Sequence, residues 1–301
     1  MTTRRDTSKE KTMQGTKSFI DRVAKAKGNN QKAIDALQAG VRKLADSNEW
    51  QKFLRFNASF HSYSVGNRLL IWSQSPGATQ VASYKSWKSR GRCVRKGEKG
   101  IAIICPIIIT DKETEEKVLV GFKIGHVFDV AQTEGESIAK IVTLVDGQEA
   151  AAAAGFDALM EFANSEGVQV STFEKTKVGF ERVNGYLEFG NAHIYLREDL
   201  PAAQRTKTLA HELAHWALEH GRVEHDVSRS IEEVEAESCA YVICNELGID
   251  SGSYSFGYIA SWAGGDAGKI SNVAERVIGA VDKVMKHVRS NEKSLAAKKA
   301  A

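Results

Sequence analysis

The run Thr208-Leu209-Ala210-His211-Glu212-Leu213-Ala214-His215-Trp216-Ala217-Leu218 restricts this chain more than any other. Neither Gly nor Pro falls between Gln204 and His220, and the apolar residues Leu209, Ala210, Leu213, Ala214, Ala217 and Leu218 recur as they do on a buried helix. On such a helix His211 and His215 leave the same face, one turn apart. Two neutral imidazoles in that position can grip one Zn²⁺. Glu212 is rotated to the side, where its carboxylate reaches a water without acting as a ligand, the role of a general base. Two histidines satisfied by ordinary hydrogen bonds would be the bland alternative.

A catalytic zinc needs a third protein ligand and an open position. The next helical stretch, Ser230 to Cys244, carries Glu232, Glu233, Glu235 and Glu237. Glu233 and Glu237 share a face. Placed opposite the histidines, one would ligate and the other would hydrogen-bond a ligand imidazole from behind. An acidic solvated face would give the same composition.

H-E-L-A-H followed by E-x-x-A-E on the next helix resembles the zincin-like domains of the ImmA/IrrE group and of ArdC-type antirestriction proteins. The resemblance implies Glu233, three residues before Ala236, as the third ligand and Glu237 as the carboxylate behind an imidazole. Glu235 stays as the alternative ligand. The implied chemistry is that of a gluzincin-type zinc peptidase with Glu212 as its catalytic base.

Charge divides the chain. Residues 1–140 hold 25 Lys and Arg against 14 Asp and Glu, whereas 141–301 hold 16 against 24, within a formal net charge of +3. The basic half is therefore the candidate for a polyanion partner. Its densest window, 81–100, holds Lys85, Lys88, Arg90, Arg92, Arg95, Lys96 and Lys99 with one Glu, interleaved with Tyr84 and Trp87. Cations beside aromatic faces suit single-stranded nucleic acid; a solvated basic hairpin with a buried Trp is the competing account. Segments 60–71, 86–103 and 127–135 resemble the single-stranded-DNA-binding domain of ArdC-type proteins, and Gly257–Trp262 resembles the segment that follows the metal helices there. That implies DNA contacts from Tyr63, Asn67, Arg68, Tyr84, Trp87, Lys88, Arg90, Arg92, Arg95, Lys96 and Lys99. The plasmid-type members carry an Asn-Pro pair near 57–68, which this chain lacks.

The expected architecture is α+β in two domains. Residues 1–16 form a disordered basic tail. Residues 17–140 form helices and a small antiparallel sheet that bind single-stranded DNA. Residues 145–290 form a zincin-like metallopeptidase domain, and 291–301 a frayed tail. Runs of apolar residues are too short to span a membrane, no signal peptide is visible, and Cys93, Cys105, Cys239 and Cys244 read as reduced thiols, so a cytoplasmic location is expected. The resemblance implies an antirestriction role on a mobile element or phage. A DNA-shielding protein with a structural zinc and no peptidase activity, and a regulatory protease that cleaves a repressor, are the alternatives.

Overall fold

The structure is a computed structural model that describes residues 23, 26, 31–110, 115–136, 148–174, 183–220, 229–249 and 266–300. The expected tail 1–16, most of the linker 134–148 and the segment Gly257–Trp262 lie outside the described residues. The chain falls into two compact units. The first contains 1–49, 59–140 and 263–275; the second contains 50–58, 141–262 and 276–301. The boundary is thus not a single cut near 140.

In the first unit, helices α1 (Gln31–Lys43) and α3 (Val65–Gln74) pack together. They approach closely because Gly40 has no side chain: a Cβ there would lie 2.2 Å from Ser73 Cβ. A long hairpin follows, β3 (Ile101–Thr110) antiparallel to β4 (Lys117–Asp129), with the short β1 (Val81–Ala82) on the far side of β4. Helix α4 (Tyr84–Ser89) and a two-stranded ribbon, β2 (Arg92–Val94) with β5 (Thr133–Gly135), complete the unit.

Strand β3 has β4 on one edge only, so its other edge exposes backbone polar groups. Two side-chain amides of α3 take the place of a neighbouring strand. Asn67 accepts from Ile104 N at 2.8 Å and donates to Ile104 O at 2.9 Å. Gln74 does the same for Ala102, both at 2.9 Å. Two residues further on, Pro106 has no N–H to satisfy.

The second unit begins, in sequence, with the apolar stripe of α2 (Ser47–Ser59). Trp50 is buried and donates from Nε1 to Ser238 Oγ at 2.9 Å, and Arg55 hydrogen-bonds the Tyr241 hydroxyl. These bonds explain why 50–58 cluster here. Helix α5 (Gln148–Ser165) leads into a three-stranded sheet of order β6 (Gln169–Phe173), β8 (His193–Arg197), β7 (Gly185–Glu188). Here β6 is parallel to β8 and β7 antiparallel to it. The helix carrying the histidines, α6 (Ala202–Ala217), packs on α5, on the sheet and on α7 (Arg229–Glu246). Helix α8 (Ala267–Ala300) runs past residue 290, where a frayed tail was expected. Its last turns are rich in Ala and Lys, which favour helix over coil.

Asn67→Ala should leave the Ile104 N–H and C=O without partners and destabilise the first unit by about 1–3 kcal/mol. Urea denaturation will read this as a lower midpoint at unchanged slope.

Candidate metal centre

Helix α6 presents His211 and His215 side by side, and α7 presents Glu233 to both. His211 Nε2 and His215 Nε2 are 3.1 Å apart. Glu233 Oε2 lies 3.5 Å from His211 Nε2, and Oε1 lies 3.8 Å from His215 Nε2. One ligand atom from each residue falls within 4.8 Å of the others. Glu233 is 53 % exposed.

The carboxylates of α7 divide by direction. Glu237 Oε2 lies 3.2 Å from His211 Nδ1, and its other oxygen accepts from Lys207 at 3.1 Å. Glu235, 1 % exposed, turns elsewhere: it is bonded to His220 and Arg276, each at 2.8 Å. Burial claims the Glu235 carboxylate, so in this structure it is not among the groups that converge on the histidines.

The protonation states follow from these neighbours. Burial alone would lower the His211 pKa. Hydrogen bonds to Glu233 and Glu237, with the charges of Glu212 and Glu237, outweigh it and raise the pKa to about 9. Glu212 is pushed up to about 7, chiefly by burial, with His211 opposing and Glu233 adding to the rise. Burial also works to raise Glu237, but its bonds to His211 and Lys207 bring it below the usual carboxylate range.

The donor set fits a divalent cation. With Nδ1 of His211 hydrogen-bonded to a carboxylate, its Nε2 is the nitrogen left to face His215 and Glu233. Lone pairs that meet at 3–4 Å repel unless a proton or a cation lies between them. Two imidazoles and a carboxylate are a ligand set for a catalytic zinc. Beside them opens a cleft of about 290 Å³, lined by Gly185, Gln204, Lys207, Thr208, His211, Glu212 and Glu237 among others. Gly185 lets strand β7 approach α6: a Cβ there would lie 2.6 Å from Thr208 Cγ2.

The residues expected to touch DNA separate into two sets. Trp87 is fully buried and donates from Nε1 to Phe128 O at 2.8 Å, so its face is closed to a base. Arg68 is 2 % exposed, and its guanidinium donates to the carbonyls of Tyr63 and His61 at 2.8 and 3.0 Å. Asn67 holds the β3 edge, and the half-buried Tyr63 donates to Val81 O at 2.9 Å. Each of these four side chains is engaged in hydrogen bonds within the first unit. Arg92 is tied to Thr133 Oγ1 and to the carbonyls of Thr133, Gly135 and Glu136, and Arg95 is paired with Glu98. Tyr84, 55 % exposed, remains at the surface with Lys85, Lys88, Arg90, Lys96 and Lys99. The Arg90 guanidinium lies 5.5 Å from the centre of the Trp87 ring.

The structure also brings His220, Arg276 and Lys207 to this region, none of them marked by a motif in the sequence. His220 follows His215 by five residues, but only the turn that ends α6 brings it back. Arg276 has no local pattern that would mark it.

A helix carrying H-E-x-x-H, packed on a sheet and on a second helix that supplies a glutamate, defines the zincin class of metallopeptidase folds. Residues 159–265 match the family of zincin-like metallopeptidases, and residues 28–144 match the N-terminal domain of anti-restriction factor ArdC. The chain thus carries an ArdC-type N-terminal domain followed by a zincin-like metallopeptidase domain. It is 26% identical over 275 residues to an uncharacterized protein of Bacillus anthracis, covering 78% of this chain but 47% of that one, so the chain spans about half the length of this curated relative. It also resembles in fold the Mn(II)-bound crystal structure of antirestriction protein ArdC from the R388 plasmid. That likeness has TM-score 0.55 and 22% identity, over 84% of this chain and 97% of the other. Among the described residues, no helix is long and apolar enough to cross a membrane.

A proton occupies His211 below about pH 9, and a ligand nitrogen must give it up, so metal uptake and proton release are coupled. Affinity for a divalent cation should rise about tenfold per pH unit between pH 7 and 9, then level off. Chelator competition across that range checks the slope.

Proposed function

We propose that this chain is an antirestriction protein that binds single-stranded DNA through its first unit and carries a zinc-dependent peptidase site in its second. The observation that carries the peptidase reading is the convergence of His211, His215 and Glu233 beside a buried Glu212 that lines a cleft. His211, His215 and Glu233 would hold the ion. A divalent cation there supplies Lewis acidity, polarising a carbonyl and lowering the pKa of a water toward about 7.

The chain's own groups do the rest. Glu212, held at about 7 by burial, is matched to accepting a proton from a water in the cleft and returning it to a departing amine. Glu237 accepts from His211 Nδ1 and so turns Nε2 toward the ion. Lys207 neutralises Glu237 on its other oxygen. The short, antiparallel edge strand β7 lies next to the cleft through Gly185 and offers backbone groups to an extended peptide. Of the divalent cations, Zn²⁺ suits two imidazoles and a carboxylate best, and Mn²⁺ is the natural comparison.

The DNA reading rests on exposed cations. Lys85, Lys88, Arg90, Lys96 and Lys99 supply positive charge along 84–99, and Tyr84 supplies a ring on which a base can stack. Single strands favour such a face because unpaired bases offer their π-surfaces. The protein would act in the cytoplasm by covering DNA that restriction enzymes would otherwise cut.

Two experiments test these readings. Glu212→Gln should keep the metal and the fold yet abolish peptide cleavage; cleavage at the wild-type rate would remove Glu212 from the mechanism. If shielding is passive, that variant still protects DNA from a restriction enzyme. Replacing Lys88, Arg90, Lys96 and Lys99 by Ala should flatten the salt dependence of single-strand affinity by roughly 3 in log–log slope. Tyr84→Ala should weaken binding by about 1–3 kcal/mol at unchanged stability. Wild-type affinity and salt slope in both variants would place the DNA elsewhere.

A further inference from the structure

Behind His215 runs a line of buried polar groups that the peptidase chemistry above does not use. Helix α6 ends in a fold-back. The Glu219 amide donates to Trp216 O at 3.1 Å and the His220 amide to His215 O at 3.0 Å, with Glu219 in the left-handed region at φ 57°. A glutamate rather than a glycine accepts that conformation, which costs about 1–2 kcal/mol. The turn brings the His220 ring against His215, Nδ1 to Nδ1, at 2.9 Å. His220 Nε2 lies 2.8 Å from Glu235 Oε2. The other Glu235 oxygen accepts from Arg276 Nε at 2.8 Å, and Arg276 also donates to Leu218 O at 3.1 Å. His220 and Glu235 are almost wholly buried.

Each hydrogen bond in this line dictates the direction of the next. A carboxylate held by a guanidinium only accepts, so His220 Nε2 carries the hydrogen. Arg276 already balances the Glu235 charge, and a neutral imidazole completes the set with one N–H. His220 Nδ1 is then a lone pair, and it accepts from His215 Nδ1–H. His215 is left with its lone pair on Nε2, the nitrogen that faces His211 and Glu233. Glu235 lies two residues from Glu237, about 200° around the helix, so it cannot serve from the same side. The second imidazole spans the gap.

We infer that His220, Glu235 and Arg276 are positioning residues for the metal centre, fixing the tautomer and ring orientation of His215 through a directed hydrogen-bond relay. The inference rests on the reading of His211, His215 and Glu233 as ligands. His211 Nδ1 is held by Glu237, so the two imidazoles are set from behind by different carboxylates.

Glu235→Gln tests the relay without changing side-chain size. Arg276 can only donate, so the new amide turns its oxygen to Arg276 and its NH₂ to His220 Nε2. The relay then reverses: His220 Nδ1 becomes the donor and the His215 proton moves to Nε2. Two readouts follow. Ring ¹⁵N spectra of the metal-free protein should place the His215 hydrogen on Nδ1 in the wild type and on Nε2 in the variant. Zn²⁺ affinity, from chelator competition, should fall roughly 10–100-fold. In Glu235→Gln/Arg276→Met the amide is free to present its oxygen to His220, and affinity should recover toward wild type; a merely structural role would make the double variant worse. The relay is overturned if Glu235→Gln keeps wild-type affinity and tautomer, or if wild-type His215 carries its hydrogen on Nε2, a measurement that needs no variant. Full metal retention in His211→Ala would overturn the metal centre and with it the purpose of the relay, so the two failures are distinguishable.

Discussion

Three hydrogen-bond acceptors pointed at one another are the constraint on which the second unit depends. His211 Nε2, His215 Nε2 and the Glu233 carboxylate meet within 4.8 Å. Only a positive charge among them relieves the repulsion. Burial opposes a charge on His211, but hydrogen bonds to Glu233 and Glu237 and the charges of Glu212 and Glu237 outweigh it and raise its pKa to about 9. The packing of α6 on α7 keeps the acceptors together regardless of the occupant. Buried Ala210, Ala214, Ala236 and Ala240 are small enough to let two backbones approach, and Leu209, Leu213 and Ile243 supply apolar burial. Burying one such leucine or isoleucine contributes about 1.5–3 kcal/mol. The apolar contact thus holds in place a polar arrangement that would not assemble by itself.

Four of the acidic residues of 141–301 meet in the same place. Glu212, Glu233, Glu235 and Glu237 stand on two adjacent turns of two packed helices, and like charges that close are unfavourable. Each is met by a different means. Glu235 is paired with Arg276, Glu237 with Lys207, and Glu233 is open to solvent. Glu212 is buried, and burial, opposed by His211 and reinforced by Glu233, raises its pKa to about 7.

The periodicity that joins His211 to His215 is local, so it was legible in the sequence, as were α6 and α7 themselves and the α+β character of both halves. Spacing alone did not say which of Glu233, Glu235 and Glu237 points where; the resemblance singled out Glu233 as ligand and Glu237 behind an imidazole, and both lie at the histidines. An acidic run fixes spacing but not the rotation of its helix, and that rotation is set by packing and by Arg276, 41 residues beyond Glu235. The same limit shows in the basic half. Tyr84 and Trp87 lie three residues apart on one short helix, and composition cannot say which is exposed. The Phe128 carbonyl and the core decide it, burying Trp87 and leaving Tyr84 outside. Arg68 counts as a charge in any tally, yet its guanidinium is committed to two backbone carbonyls. Net charge therefore counts guanidinium groups, such as those of Arg68 and Arg92, that backbone carbonyls already hold.

The three groups proposed to hold the ion differ in their surroundings. Both imidazoles are backed by carboxylates, His211 directly and His215 through His220, and both lie on a buried helix. Glu233 is half exposed, on the second helix. Were these two nitrogens and one oxygen to hold an ion, the intrinsic affinity order of the first-row ions would bear on its identity. That order places Zn²⁺ well above Mn²⁺ for nitrogen and oxygen donors. Where Zn²⁺ is available, a site held by His211, His215 and Glu233 should therefore favour it over Mn²⁺.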